Sequence, residues 1–297
     1  MKRFLLGAAV LFVSFTSASA QFTFTSIDYP GGTLTSVRGI NNHGEIVGAY
    51  RVTPPRHALL IKAGQFQPIN PISVLGATLS EAWKINDRGD MVGGYLDTNG
   101  FSHGFLLRKG VLTTLDFPGA SDTYARGINE SGTVVGYWDL VDSNGNPLIV
   151  HGFTWNKGTF TQLDFPGAGD TAALGINDRG DTVGEWDTGI TSTTEHSFVL
   201  SKGQFISFDV PFAGATLTQA NDINAKGSIV GEWFDASGVS HGFLAEGANF
   251  TSIDCPGAAI TTAWGINSAG QIVGNDFDTL SSSSRGYLAQ PSKKGKP

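Results

Sequence analysis

The chain has 297 residues, with 40 glycines, 15% charged residues, 40% apolar residues and one cysteine. That length can bury a large core. Low charge with 11% aromatic residues excludes a disordered chain, the lone cysteine excludes an internal disulfide, and glycine without a Gly-X-Y period excludes collagen.

The first elements in chain order belong to an address rather than a fold. Lys2 and Arg3 precede an apolar run from Phe4 to Phe15, and Ala18-Ser19-Ala20 supplies small residues at a cleavage site. This pattern predicts a secretory signal peptide over 1–20, removed before Gln21. About twelve apolar residues are too few to span a bilayer, and no cysteine follows them to carry a lipid. Loss of Lys2 and Arg3 takes the formal charge from -7 to -9. The expected product is secreted or periplasmic, monomeric and not inserted in a membrane. Its acidity argues against nucleic acid and anionic lipid as partners.

From residue 21 onward the chain repeats itself. Ile-Asn stands at 40–41, 85–86, 128–129, 176–177, 223–224 and 266–267. Seven residues after each Ile comes Val-Gly: Val47-Gly48, Val92-Gly93, Val135-Gly136, Val183-Gly184, Val230-Gly231 and Val273-Gly274. Each unit reads as four strands. A first strand such as FTQLDF (160–165) leads into a PGA loop, and a second such as TAALGIN (171–177) follows. An N-x-x-G turn such as Asn177–Gly180 leads to a third strand, such as TVVGYW (133–138). After a variable polar loop, a fourth strand such as HGFTW (151–155) ends in a Gly-containing return turn. Asn opens such turns and Gly supplies the positive φ that closes them.

Four strands in about 45 residues, repeated six times, predict an all-β, six-bladed β-propeller over 21–290. A basic tail, 291–297, is expected to fray. Consecutive apolar positions such as Phe105-Leu106-Leu107 suit strands buried on both faces. With the second strand innermost, alternation places Ala125 and Gly127 on one face and Arg126 and Ile128 on the other. The chain begins with a first-type strand and ends with a fourth-type one. The opening strand, Phe22–Asp28, is therefore expected to complete the last blade beside Tyr287 and close the ring.

This order puts the PGA and variable loops at one end of the ring, where longer and more varied loops favour binding. His57, His103, His151, His196 and His241 open the fourth strands, with Arg285 in the sixth place. They are either metal ligands or groups that bond a neighbouring carbonyl or Asp; on separate blades they stand too far apart to share one ion. Tyr50, Tyr95, Trp138, Trp186 and Trp233 recur after the Val-Gly pair, with Asp276 in the sixth place. Such rings either stack on sugars or pack between blades. Asp28, Asp116, Asp164, Asp209 and Asp254, aided by Thr35, Thr123, Thr171, Thr218 and Thr261, are expected to fix the PGA loops through backbone N–H groups. Cys255, where sister units carry Phe117 and Phe165, reads as a small apolar substitute. Asp142–Asn146 alternates oxygen ligands but lacks the later Glu of a calcium loop.

The polar residues that do not repeat say more. Arg38, Trp83, Arg126, Asn221 and Trp264 hold one variable inner-strand position that approaches the central channel. Glu185 and Glu232 hold equivalent places in adjacent units, a carboxylate pair that glycoside hydrolysis could use. The candidate ligand-binding set is therefore Tyr95, Trp138, Trp186, Trp233, Arg38, Trp83, Arg126 and Trp264, with no catalytic residue, metal ligand or cofactor assigned.

The unit G-I-N-x-x-G-x-I-V-G, followed by triplets such as His57-Ala58-Leu59, His103-Gly104-Phe105 and His241-Gly242-Phe243, resembles the bacterial extracellular HAF repeat. The resemblance spans all six units, Arg285-Gly286-Tyr287 departing most. It implies export and a repeat architecture, and no catalytic residue. The leading expectation is an exported binding scaffold for polysaccharide or an extracellular protein. The alternative is a carbohydrate-active enzyme, a glycoside hydrolase or lyase, with its site on the loop face. A concave pocket with several non-repeated carboxylates would favour the enzyme; equivalent shallow sites around the ring would favour the scaffold.

Overall fold

The computed structural model describes residues 21–69, 77–142, 147–189, 192–278 and 283–292. The expected signal peptide, residues 143–146 of the oxygen-rich loop and residues 293–297 of the expected tail lie outside them. The described residues form twenty-four strands, β1 to β24 in chain order, in six four-stranded antiparallel sheets. Blade I runs from axis to rim as β2 (Leu34–Ile40), β3 (Ile46–Arg51), β4 (His57–Lys62) and β5 (Gln65–Pro68). The inner strands of blades II to VI are β6 (Leu79–Ile85), β10 (Asp122–Ile128), β14 (Asp170–Ile176), β18 (Leu217–Ile223) and β22 (Ile260–Ile266). Each touches the next, and β22 touches β2. The fold is a six-bladed β-propeller.

Both ends of the chain build blade VI. Its order is β22, β23 (Ile272–Asp278), β24 (Ser283–Pro291) and then β1 (Phe22–Ile27) on the rim. The register runs from Phe22↔Pro291 to Ile27↔Gly286 and sets Ser26 opposite Tyr287. Phe22 is buried, and Phe24 meets the Tyr287 ring edge-on at 5.5 Å. The N-terminal strand thus covers an edge that β24 would otherwise expose. β24 extends through Pro291, so the last blade reaches one residue further than the sequence pattern suggested.

The core lies between blades, as six apolar clusters, one at each junction. The His-x-Phe triplets explain how. Their third residues, Leu59, Phe105, Phe153, Phe198, Phe243 and Tyr287, are at most 1% exposed. The middle residue must be small: a Cβ at Gly104 would meet Leu115 O at 2.9 Å and Ala125 of the next blade at 3.3 Å. The Val-Gly glycine is required for the same kind of reason. A Cβ there would fall 1.9 Å from an inner-strand carbonyl in five blades, as from Ala172 O at Gly184, and 2.1 Å from Glu81 O at Gly93.

The N-x-x-G turns form a second ring. Asn86 Oδ1 accepts the N–H groups of Arg88 and Asp90 within its own turn, fixing the turn as Asn side chains do. Its Nδ2 donates to Asn129 O of the next blade at 3.1 Å. The same donation passes from Asn129 to Asn177, Asn224, Asn267, Asn41 and back to Asn86, each at 3.0–3.2 Å. A buried amide satisfied on both sides is strongly placed, and here six of them link the blades in a closed cycle.

Every inner strand also carries a β-bulge. Val37 pairs Gly48 and Gly39 pairs Val47, leaving Arg38 unpaired; Trp83, Arg126, Leu174, Asn221 and Trp264 are skipped in the same way. A bulge re-aims a side chain and breaks simple alternation. Ile128 therefore packs in the same cluster as Ala125, rather than sharing the face of Arg126 as alternation would have it.

Candidate functional site

The bulges turn six dissimilar residues toward the axis. Those of blades VI, I, II and III interlock. The Arg38 guanidinium lies 4.2 Å from the Trp264 ring centre and 4.4 Å from that of Trp83. The Arg126 guanidinium lies 3.4 Å from Trp83 and 5.7 Å from Tyr137, and Tyr137 stacks on Tyr124 at 4.6 Å. Cations over aromatic faces offset part of the cost of leaving water. Arg38, Trp83, Arg126 and Trp264, all named from the sequence, are thus brought together. Leu174 and Asn221 complete the layer and are buried.

Charged neighbours surround this layer. Glu81 accepts from Arg38 Nε at 2.7 Å and lies 3.2 Å from Arg56 Nη2. Burial acts to raise the Glu81 carboxyl, but the two guanidiniums outweigh it and hold it below the usual range. Lys84 and Asp222, from the opposite blades II and V, meet at 2.5 Å. Lys84 Nζ also donates to Trp264 O, and Asp222 accepts Ile266 N–H. Burial pushes the Lys84 ammonium down against the pull of Asp222. Beyond this bridge lies an axial space of about 80 Å³ lined by the Asn ring.

On the loop side, Arg56, Glu81, Trp83, Tyr124, Arg126 and Tyr137 line a recess of about 240 Å³. Across the mouth, blades IV and V contribute acids. The Gln219 amide donates to both Glu185 and Glu195. Burial, then the hydrogen bond and charge of Glu185, keep the Glu195 carboxyl protonated far above the usual range. Glu232 accepts from Ser240 Oγ at 2.9 Å; burial raises it, with the charge of Glu185 adding to the effect. The mouth is therefore two-sided, cationic and aromatic toward blades I–III and carboxylic toward blades IV and V.

Of the recurring aromatic residues, Tyr95 also borders this recess; all of them pack at the blade junctions. Trp138 stacks on Phe117 at 4.6 Å and meets His151 at 4.8 Å. Trp186 likewise stacks on Phe165 and meets His196, whereas Trp233 is tilted against Phe212 and stacks on His241. Tyr95 stacks on His103 at 5.0 Å. Tyr95, Trp138 and Trp233 are less than 10% exposed, so little ring face is left for a ligand; Trp186 is half-buried and donates to Ser207 Oγ.

The histidines bond the acids of the first-type strands: His103–Asp116 at 2.8 Å, His151–Asp164 and His196–Asp209 at 3.0 Å, and His241–Asp254 at 2.6 Å. This corrects the role expected for those Asp residues. The loop is held instead by threonine, whose Oγ1 accepts the N–H opening each PGA loop, as Thr123 does from Phe117 and Thr171 from Phe165. In blade VI the aromatic motif is replaced as a unit. Arg285 bonds Asp276 at 3.1 Å, and Cys255 lies against Asp276, its thiol pushed up to about 12 by burial and by that carboxylate. Among the described residues no group of three His, Cys, Asp or Glu is placed to hold a metal ion.

Sequence reasoning missed Arg56, Glu81, Lys84, Tyr124, Glu195, Gln219 and Asp222. A signal existed for five of them. Register places 36/81/124/172/219/262 and 39/84/127/175/222/265 of the inner strands also abandon the sixfold pattern. Glu195 lies in a variable loop, where no register singles it out.

No protein-family model matches the chain and no curated protein is similar to it. Solved structures share its fold. It is similar to TolB from Acinetobacter baumannii at 12% identity, over 85% of this chain and 64% of that one, with a TM-score of 0.52. The lectin of Aleuria aurantia, a six-bladed propeller with fucose recognition, matches at 11% identity over 92% of this chain and 99% of the lectin, TM-score 0.50. An acylaminoacyl peptidase from Pyrococcus horikoshii matches at 12% identity over 89% of this chain, TM-score 0.51, and the chain spans 45% of its length. At these identities the likeness is one of fold.

Proposed function

We propose that the protein is an exported HAF-repeat propeller that acts as a binding scaffold, without chemistry of its own, for a polysaccharide or an exported protein. The signal pattern over residues 1–20 supports export. One observation carries the binding reading: sixfold chemistry is kept in the turns and core and given up along the axis, most of all where side chains face the loop-side mouth. Residues released from the repeat, in a concave place on a rigid ring, mark a site. Fucose recognition by the Aleuria aurantia lectin is in keeping with this reading, although no residue is carried across from it. Glycan-array binding combined with reducing-sugar release on the hits tests it. Binding without turnover, lost in Trp83→Ala, is the expected result.

A second reading rests on the acids. The raised Glu195 carboxyl, joined to Glu185 through the Gln219 amide, offers a proton donor of the kind glycoside cleavage needs. A concave mouth with non-repeated carboxylates is also what an enzyme would present. Sugar release abolished by Glu185→Gln or Glu232→Gln would establish that reading in place of the first.

A further inference from the structure

The loop-side recess holds an imbalance of charge. Three guanidiniums, Arg38, Arg56 and Arg126, share one carboxylate, Glu81, which is already engaged by the first two. Arg126 has no carboxylate within ion-pair distance among the described residues. Its contacts are the rings of Trp83 and Tyr137 and a hydrogen bond to the Tyr137 hydroxyl, and Glu185 and Glu81 act on it only from further away. Arg56 Nε is buried without an acceptor among the described residues. A guanidinium withdrawn from water normally finds a planar anion for its fork of donors, and one that has none, in an open recess, is poised to accept it from outside. The walls that remain are largely apolar and aromatic, with Leu79, Leu96, Tyr95, Tyr124 and Tyr137 beside Trp83.

We propose that this recess binds one carboxylated sugar ring, a uronate-type residue. Its carboxylate lies on Arg126 and Arg56, and its apolar face lies on the wall formed by Leu79, Leu96 and Tyr124, Trp83 serving to hold Arg126 in place. The assignment rests on the binding reading above and names the ligand class for that same mouth. Size sets one limit: about 240 Å³ is below the range of drug-sized pockets, so the recess takes a single ring. Charge sets another. The acidic surface, formally -7 for the whole chain, repels a long polyanion, but its reach falls off over about 8 Å at physiological salt. The fitting ligand is therefore a free uronate or the terminal residue of a glycan, not a charged polymer run.

The test is titration calorimetry of the chain from Gln21 onward. The probes are galacturonic and glucuronic acid, each free and as the end residue of a short oligosaccharide, against their methyl esters and the neutral parent sugars. Esterification or loss of the carboxylate should weaken binding at least about tenfold. Arg126→Met should do the same, Arg126→Lys should lose less, and melting curves should show both variants folded. The ester comparison uses unaltered protein and needs no variant. A stronger signal from the oligosaccharide than from the free acid identifies a glycan end as the source. Equal affinity for acid and neutral sugar, or no binding of any acid up to about 10 mM, overturns the assignment. If a neutral glycan or a protein binds and is lost in Trp83→Ala, the carboxylate assignment falls and the binding reading stands. If nothing binds, or mouth variants change nothing, both fall.

Discussion

Two neighbouring glycines in β7 (Met91–Leu96) should respond to the same substitution in opposite ways. At Gly93 a Cβ would sit 2.1 Å from Glu81 O and 2.7 Å from Phe105 Cε1. The first of these is backbone and the second is a ring with no measurable exposure. To reach an ordinary contact, β6 would have to retreat by about 1 Å, against the packing of the adjacent blade. Overpacking of this kind costs about 3 kcal/mol, or a fall in Tm of about 6–12 °C for a domain of this size. At Gly94 the nearest atom to a Cβ is His103 O at 3.6 Å, and the backbone there is extended. Alanine at that position restricts the unfolded chain and should stabilise by up to about 1 kcal/mol. Thermal melting of Gly93→Ala and Gly94→Ala beside the parent decides the matter. Equal Tm values for the two variants would refute the steric account of the Val-Gly repeat.

Three further outcomes follow from the fold and its charges. Removing residues 21–27 should strip amide protection from β24, and Phe22→Ala alone should cost about 3 kcal/mol; unchanged exchange of the β24 amides in the truncated chain would contradict ring closure by β1. Asn86→Ala leaves two turn N–H groups without partners and takes one of two donors from the Asn129 carbonyl and should lower stability by about 3 kcal/mol, measured by urea unfolding, whereas exposed Asn99→Ala should change it by under about 1 kcal/mol. Asp139 pairs with Asp122 across blade III, and burial followed by that like charge pushes its carboxyl up to about 6. Against an ordinary value of about 3.9, the folded chain keeps a proton that the unfolded chain has released. The stability this lends is complete below about pH 4 and lost as pH rises through about 6. Asp139→Asn should therefore gain on the parent over that interval, and parallel melting profiles from pH 4 to 7 would refute the assignment.

The architecture was legible because its chemistry recurs. Ile-Asn, N-x-x-G and Val-Gly meet the same turn and the same junction six times, so spacing alone located the blades. The mismatch between the first and last strand types located the seam. The site was only partly legible. Arg38, Trp83, Arg126 and Trp264 stood out as exceptions at one register place, but alternation could not reveal the bulge that turns them inward. The pairing of Lys84 with Asp222 joins opposite blades, a distance the one-dimensional pattern does not encode. The Asp residues before the PGA loops were assigned to backbone N–H groups because those are nearest in sequence; in space the histidine of the adjacent strand is within reach, and threonine takes the loop. Glu195 follows no period, and only its approach to Glu185 and Gln219 gives it meaning.

The Asn cycle passes from blade VI to blade I as it does at any other junction, and backbone pairing closes the seam within blade VI. Asn267 reaches Asn41 O at 3.1 Å, as Asn86 reaches Asn129 O, and Ser292 N–H donates to Gln21 O at 2.6 Å where the described chain ends meet. Tethering those ends and reopening the chain at a rim turn of another blade would reproduce the same contacts under a different residue order. The start and finish of this propeller are thus a matter of genetic bookkeeping rather than mechanics, and a circularly permuted ring inherits the whole of its cohesion.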